Sequence, residues 1–289
     1  MRHKIERSML RPGITIGEFI EVDGVRLHYI VKGEGPPLLL VHGLGAYSYT
    51  WRYNIDELAR HFKVYALDLK GFGLSEKPQK GNYSLSSHAK MVARFLDTMG
   101  LNSVDYAGSS MGGEIGLRLA LQYPERLKKL VLISSSGYRD NLASSLRILA
   151  YLMYFPFVRQ YIRKKFLQDE ILFPIVRQAY YNQEAISDEE VRDCLCPVFL
   201  LGTEDAYMAL FRQFDFGFEK ANYSKIRHQT LIIGGEQDRI IPLTDTKRLH
   251  EEIKNSVLIT IPDGGHFVHE EKWREVNGYI LHFLLGLSD

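Results

Sequence analysis

The feature that most constrains this chain is the pentapeptide Gly108-Ser109-Ser110-Met111-Gly112, because it stands between a strand-like run, Val104 to Ala107, and a helix-like pattern from Gly113 to Tyr123. A strand that turns straight into a helix leaves almost no room around the middle of the turn, so glycines on both sides are what the backbone requires. The serine in the middle, Ser110, then projects beyond the sheet edge. The next backbone N–H, that of Met111, opens the helix and points at any negative charge developing nearby.

The rest of the chain repeats the same alternation. Glu18 to Val22 and Val25 to Val31 flank Asp23-Gly24, a two-residue hairpin signal. Short apolar runs follow at Pro37 to His42, Val64 to Asp68, Val104 to Gly108, Leu130 to Ser134, Thr230 to Gly234 and Val257 to Ile261. Runs of this length suit strands buried on both faces. Helical patterns lie between them, including Ser86 to Met99, Gly112 to Tyr123, Thr244 to Ile253 and Glu271 to Leu285. The alternation predicts a mostly parallel central sheet with helices on both faces and a site beyond the carboxyl ends of the strands.

One stretch breaks the rhythm. From Tyr138 to Lys225 the pattern is helical without a convincing strand, and the stretch holds 17 of the chain's 34 aromatic residues. The expected organisation is therefore a core of residues 1–137 and 226–289, with a helical cap at 138–225 inserted after the sixth strand. Most of the cap's rings are expected to fill its own small core, and a few to face a ligand.

Charge narrows the partners. Lys and Arg number 36 against 35 Asp and Glu, so no global basic field exists to hold nucleic acid. Cys194 and Cys196 are too close in sequence for an unstrained disulfide and lack metal-ligand spacing, which predicts two reduced thiols. Met1 to Gly13 contains no apolar stretch of signal-peptide length, and the expected compartment is cytoplasmic. The longest apolar run, Ile148 to Val158, is about half a membrane span and is interrupted by Pro156. With the cationic Arg159 to Lys165 beside it, this run has the composition of a peripheral lipid contact, although such patterns are more often solvated helix faces.

A serine hydroxyl needs a base to become a nucleophile. Of ten histidines, His266 in Gly264-Gly265-His266-Phe267 combines a strand end, flanking glycines and a loop before the last helix. The base needs an acid to fix its tautomer, and Asp238, after the Thr230 to Ile233 run and before Pro242, has the matching position. Glu236 and Asp263 are weaker rivals, the first too near its strand and the second too near His266 in sequence. A second donor toward an oxyanion is expected from the backbone N–H of Leu44 in His42-Gly43-Leu44-Gly45, beside that of Met111.

Taken together, His42-Gly43, Asp68 through Gly71-Phe72-Gly73-Leu74-Ser75, Gly108 to Gly113, Gly235 to Asp238 and Gly264 to His266 resemble the successive motifs of capped α/β hydrolases, over nearly the whole chain except the cap. The resemblance implies the α/β hydrolase fold and a structural role for Asp68 to Ser75. It also implies a serine hydrolase with Ser110, Asp238 and His266 as the triad, needing no metal or organic cofactor. Relatives of this kind include esterases, lipases, meta-cleavage C–C bond hydrolases and cofactor-free haloperoxidases. Epoxide hydrolases and haloalkane dehalogenases use an aspartate where Ser110 stands. The C–C hydrolases tend to carry Asn before the serine and Trp after the histidine, where this chain has Ser109 and Phe267. The expectation is a carboxylesterase or lipase type of enzyme acting on a small-molecule ester with an apolar acyl or aryl group. C–C bond hydrolysis is the alternative, followed by haloperoxidase chemistry and a non-catalytic, ligand-binding role.

Overall fold

Eight strands form one sheet. Strand β1 (Glu18–Val22) pairs with β2 (Val25–Lys32) through Asp23 and Gly24, both in the left-handed region at φ 47° and 77°, as a two-residue loop of primed type I requires. The remaining strands are β3 (Pro37–Val41), β4 (Lys63–Leu67), β5 (Val104–Ser109), β6 (Leu127–Ile133), β7 (Gln229–Gly235) and β8 (Ser256–Ile261). Their spatial order is β1-β2-β4-β3-β5-β6-β7-β8, and only β2 runs antiparallel to its neighbours. The coordinates are a computed structural model that describes residues 17–138, 151–152, 155, 157–158, 160–161, 169–215, 217 and 220–287.

The inner strands carry continuous apolar runs, Leu38 to Val41, Val64 to Leu67, Leu130 to Ile133 and Leu231 to Ile233, because alternate side chains feed two separate cores. On one face Leu39, Val41, Tyr65, Leu67, Leu130 and Leu132 meet helices α2 (Leu85–Thr98) and α3 (Met111–Gln122). On the other, Leu38, Leu40, Val64, Ala66, Val131 and Ile133 meet a short α1 (Ile55–Leu58) and the last helix of the chain. Each such side chain, fully buried, contributes about 1.5–3 kcal/mol of transfer free energy, and a register slip would exchange the two cores. Strand β6 begins three residues before the expected Leu130 and stops at Ile133, because Ser134 turns out of the strand with φ 44°.

Between β6 and β7 the described residues form helices α4 (Asp169–Gln178), α5 (Asp188–Leu195) and α6 (Thr203–Gln213), and no strand. Helix α5 starts in a capping box, with Ser187 Oγ accepting the Glu190 N–H and the Glu190 carboxylate accepting the Ser187 N–H. Ala179, Tyr180, Ile186, Val191 and Leu195 make a small core of their own, with Phe267 packed against it. Tyr151, Leu152, Phe155, Phe157 and Tyr161 are exposed; the rest of the stretch expected to form the cap's first half, 139–150 and most of 153–168, lies outside the described residues. Cys194 and Cys196 form no disulfide and are half-buried. Among the described residues no single helix is long and apolar enough to cross a membrane.

The buried face of α2 carries one anomaly. His88 is fully buried between Phe72 and Tyr83, and among the described residues neither ring nitrogen has a hydrogen-bond partner. Burial, with Lys70 and His42 adding to it, pushes its pKa down to about 3. His269, which packs against Trp51, is pushed down to about 4, chiefly by burial. Because the folded pKa lies below that of the unfolded chain, the contribution is intact above about pH 6.5 and is lost as pH falls from there toward the folded values. Each such histidine steepens acid destabilisation by up to about 1.4 kcal/mol per pH unit. Urea unfolding at pH 7.5 and pH 5 is expected to show a marked loss at the lower pH for wild type and a smaller loss for His88→Leu. Equal losses would show that His88 does not supply the slope.

Candidate active site

The turn from β5 into α3 places Ser110 at φ 55°, ψ −118°, a conformation that L residues avoid. The neighbouring glycines explain how it is held. A Cβ on Gly108 would fall 2.4 Å from the Gly112 carbonyl oxygen, and one on Gly112 would fall 2.3 Å from that of Val41. The strand, the helix and the end of β3 are therefore in contact through bare backbone. The Ser110 N–H donates to Ile133 O, while Ser110 O accepts from the amides of Gly113, Glu114 and Ser136. Behind it lies a buried ion pair, Glu114 with Arg118 at 3.0 Å. Arg118 also holds Asp215 of the chain returning from α6, and Glu114 accepts from Ser136 Oγ and from the Gly217 N–H.

His266 and Asp238 meet at the carboxyl ends of β7 and β8. Their loops are joined by backbone hydrogen bonds, Glu236 N–H to Ile261 O and Gln237 N–H to Gly264 O, each 3.0 Å. With the loops so joined, His266 Nδ1 lies 2.9 Å from Asp238 Oδ2, and the other carboxylate oxygen accepts the amides of Ile240 and Ile241, each at 2.8 Å. The carboxylate is thus fixed on both oxygens, and the ring is buried, with a fractional exposure of 4%. The two rival acids sit elsewhere: Glu236 is exposed and accepts from Thr260 Oγ1, and Asp263 is exposed. Among the described residues the Ser110 hydroxyl is hydrogen-bonded to neither His266 nor Asp238.

The loop after β3 passes directly over the serine. A Cβ on Gly43 would lie 3.0 Å from Ser110 Cβ and 3.5 Å from its Oγ, so the backbone at Gly43 passes directly beside the serine hydroxyl. Met111, first residue of α3, has an amide with no carbonyl one turn earlier to bond. The loop is anchored by a residue that sequence reasoning passed over as part of a motif. His42 is fully buried, the Leu69 N–H donates to its Nε2 at 3.1 Å, and its Nδ1 lies 2.7 Å from Gly43 O. An amide can only donate, so Nε2 is the acceptor and Nδ1 carries the proton given to Gly43. Burial lowers the His42 pKa against the opposing charge of Asp68, which keeps the ring in that neutral form.

A second polar network joins the helical turn that follows His266 to the segment between β6 and β7. Glu270 accepts from Arg52, Tyr180 OH and Thr50 Oγ1, and Arg52 reaches on to Glu190 of α5. Tyr47 OH donates to Asp193 O from the other side. These partners are dozens of residues apart or more, and no local spacing announces them.

The arrangement is a strained serine under a backbone loop and beside a helix N-terminus, with a buried imidazole–carboxylate pair at the same sheet edge. The alpha/beta hydrolase fold family model matches residues 36–184, and the TAP-like protein model matches residues 218–287. An uncharacterized hydrolase of Bacillus subtilis is 32% identical, across 91% of this chain and 96% of that protein. The chain belongs to the α/β hydrolase family. Within that family it is also similar to the 2-hydroxy-6-oxo-2,4-heptadienoate hydrolase of Pseudomonas putida, at 29% identity across 92% of this chain and 95% of the relative. A solved structure of the meta-cleavage product hydrolase from Pseudomonas fluorescens superposes with a TM-score of 0.81 at 26% identity, covering 94% of this chain and 98% of that one. As an α/β hydrolase the chain is a hydrolytic enzyme, and its sheet, strand order and elbow are those of the fold.

Proposed function

We propose that this α/β hydrolase cleaves a carboxylic ester with an apolar acyl or aryl group through an acyl-enzyme on Ser110. The observation that carries the reading is the buried His266–Asp238 pair at the sheet edge where Ser110 stands. Asp238 holds the proton on Nδ1, leaving Nε2 to take the Ser110 proton as Oγ attacks the carbonyl carbon. The oxyanion is held by the N–H groups of Leu44 and Met111. The imidazolium then protonates the departing alcohol, and a water deprotonated by His266 releases the acid and restores the serine. No step calls for a metal or an organic cofactor.

The second reading, supported by the Pseudomonas relatives, is hydrolysis of a C–C bond in a vinylogous diketone by the same three residues. Against it stand Ser109 and Phe267, where such enzymes tend to carry Asn and Trp. Steady-state assays of a chain-length series of p-nitrophenyl esters beside a vinylogous 1,5-diketone distinguish the two. Ester turnover with a defined preferred acyl length supports the first reading. Turnover of the diketone alone replaces it with the second.

The exposed Tyr151, Leu152, Phe155, Phe157 and Tyr161 lie in a stretch of sequence that also carries Arg159, Arg163, Lys164 and Lys165. Aromatic and basic residues together suit the boundary of an anionic bilayer, and we propose a peripheral lipid contact there. In vesicle flotation the protein is expected to rise with anionic vesicles at low salt and to stay behind with neutral ones. Recovery at the bottom in every case sinks the idea.

A further inference from the structure

The one-turn helix α7 (Val268–Glu271) ends in a carboxylate that the mechanism above does not use. Glu271 Oε2 accepts the Gly265 N–H at 2.7 Å, and Oε1 accepts the N–H groups of Tyr181 at 2.7 Å and Asn182 at 3.1 Å. The same turn of chain receives the histidine from the other side, since Ala179 O accepts from the His266 N–H at 2.7 Å and the Phe267 N–H at 3.3 Å. Contact is close enough that a Cβ on Gly265 would fall 2.5 Å from Tyr181 N and 2.7 Å from Ala179 O. Five backbone amides are thus accounted for by one carboxylate and one carbonyl, and three of them belong to Gly265, His266 and Phe267.

Glu270, the preceding residue, is occupied by Arg52, whereas the described contacts of Glu271 are to peptide N–H groups. Burial pushes the Glu271 carboxyl upward, and the Gly265, Asn182 and Tyr181 amides pull it back. A half-buried carboxylate satisfied by backbone donors on two separate segments is a clamp, and charge-assisted bonds of this kind are the stiffer ones.

We propose that Glu271 is a positioning residue, whose carboxylate fixes the Gly265–His266 peptide against the Ala179–Asn182 turn and so sets the imidazole's aim by the docking of that turn. The proposal rests on the reading of His266 as the catalytic base. It makes the helical segment between β6 and β7 part of the catalytic geometry as well as a covering for it. A substrate that shifts this turn would move the base with it.

Glu271→Gln retains size but only one acceptor oxygen, so it can serve Gly265 or the Tyr181–Asn182 pair and not both. It is expected to lower kcat for the preferred ester by about 10- to 100-fold, the range for outer-shell partners of active groups, with KM within about twofold because nothing that touches substrate is removed. Hydrogen exchange of the peptide covering residues 263–268 should quicken in the same variant. Glu271→Asp, with the charge kept and the oxygens withdrawn by one methylene, should fall between, and serves if the Gln variant does not fold. Leu96→Ala is the control: it opens a cavity in the core beneath α2, which is separate from the core that holds the Ala179–Asn182 turn, and should lower Tm while leaving kcat intact.

Wild-type kcat and wild-type exchange in Glu271→Gln would overturn the proposal, as would a kcat loss that Leu96→Ala reproduces at equal loss of Tm. If wild-type protein turns over no ester or diketone, the reading of His266 as base falls. Exchange at residues 263–268 then decides separately whether the clamp exists.

Discussion

Ser110→Ala is expected to lower kcat for the preferred ester by about 10⁵- to 10⁶-fold, with the protein still folded and KM little changed. The magnitude follows from removing the nucleophile of a unit whose members act together. His266→Ala should cost about as much, and the double variant no more than either alone. The fixed carboxylate of Asp238 makes a further, graded expectation: Asp238→Asn keeps the shape but reverses the bond to Nδ1, leaving the wrong tautomer, at a cost of about 10⁴-fold. Residual turnover should survive in all of these, because the Leu44 and Met111 amides are untouched. Steady-state kinetics on the four variants checks the set. A double variant far below either single one would mean that Ser110 and His266 do not act as one unit.

The second large effect falls on stability. Asp68 is fully buried at the end of β4, and its carboxylate accepts from His28 Nδ1, the Ser48 N–H and the Leu74 N–H at 2.8, 2.7 and 2.8 Å. Since the Gly17 N–H donates to Nε2 of the same histidine, the proton that His28 offers Asp68 is fixed on Nδ1. The turn beyond is shaped around the carboxylate: Gly73 has φ 50°, and a Cβ there would sit 2.1 Å from Asp68 Oδ2. One side chain thereby joins β2, the chain after β3 and the Gly71–Ser75 turn.

Asp68→Ala strands three buried donors and is expected to cost about 3–5 kcal/mol, measured as a fall in the urea midpoint at pH 7. The carboxyl responds to burial, which raises its pKa, but His28, His42 and the Leu74 amide outweigh this and hold it down at about 2. A depressed folded pKa means that this stabilisation is present above the unfolded value near 4 and is lost as pH falls from there toward 2. Asp68→Asn should lose less at pH 7 and show none of that acid-side titration. A stability unchanged in Asp68→Ala would contradict the role assigned to the motif.

Most of the sheet was legible because its signals are local. Asp23-Gly24 specifies a hairpin by itself, the inner strands each contain a continuous apolar run, and the elbow glycines are fixed by contacts within five residues or with the adjoining strand. The helix expected from Glu271 to Leu285 is present but starts two residues later, because Lys272, at φ −116°, ψ 36°, separates α7 from α8 (Trp273–Leu285), and apolar spacing is blind to such a break. That break matters, since it leaves Glu271 at the end of a short turn beside Gly265.

Residues that hold the site in place were less visible for a physical reason: their partners are remote. Arg118 meets Asp215 across 97 positions of sequence and Tyr180 meets Glu270 across 90, and no periodicity encodes such pairs. His42 was visible as part of a motif, but its work depends on Leu69, a residue with no polar side chain to attract notice. Glu114 offered a faint signal, as a charge on the otherwise apolar first turns of α3, where a buried partner was needed.

The most direct test of the account is covalent labelling of the wild-type protein by a fluorophosphonate, with the modified peptide sequenced by mass spectrometry. The account predicts stoichiometric modification at Ser110, lost in Ser110→Ala and strongly slowed in His266→Ala. A folded protein that never labels, or that labels elsewhere, would contradict the assignment of Ser110 as an activated nucleophile.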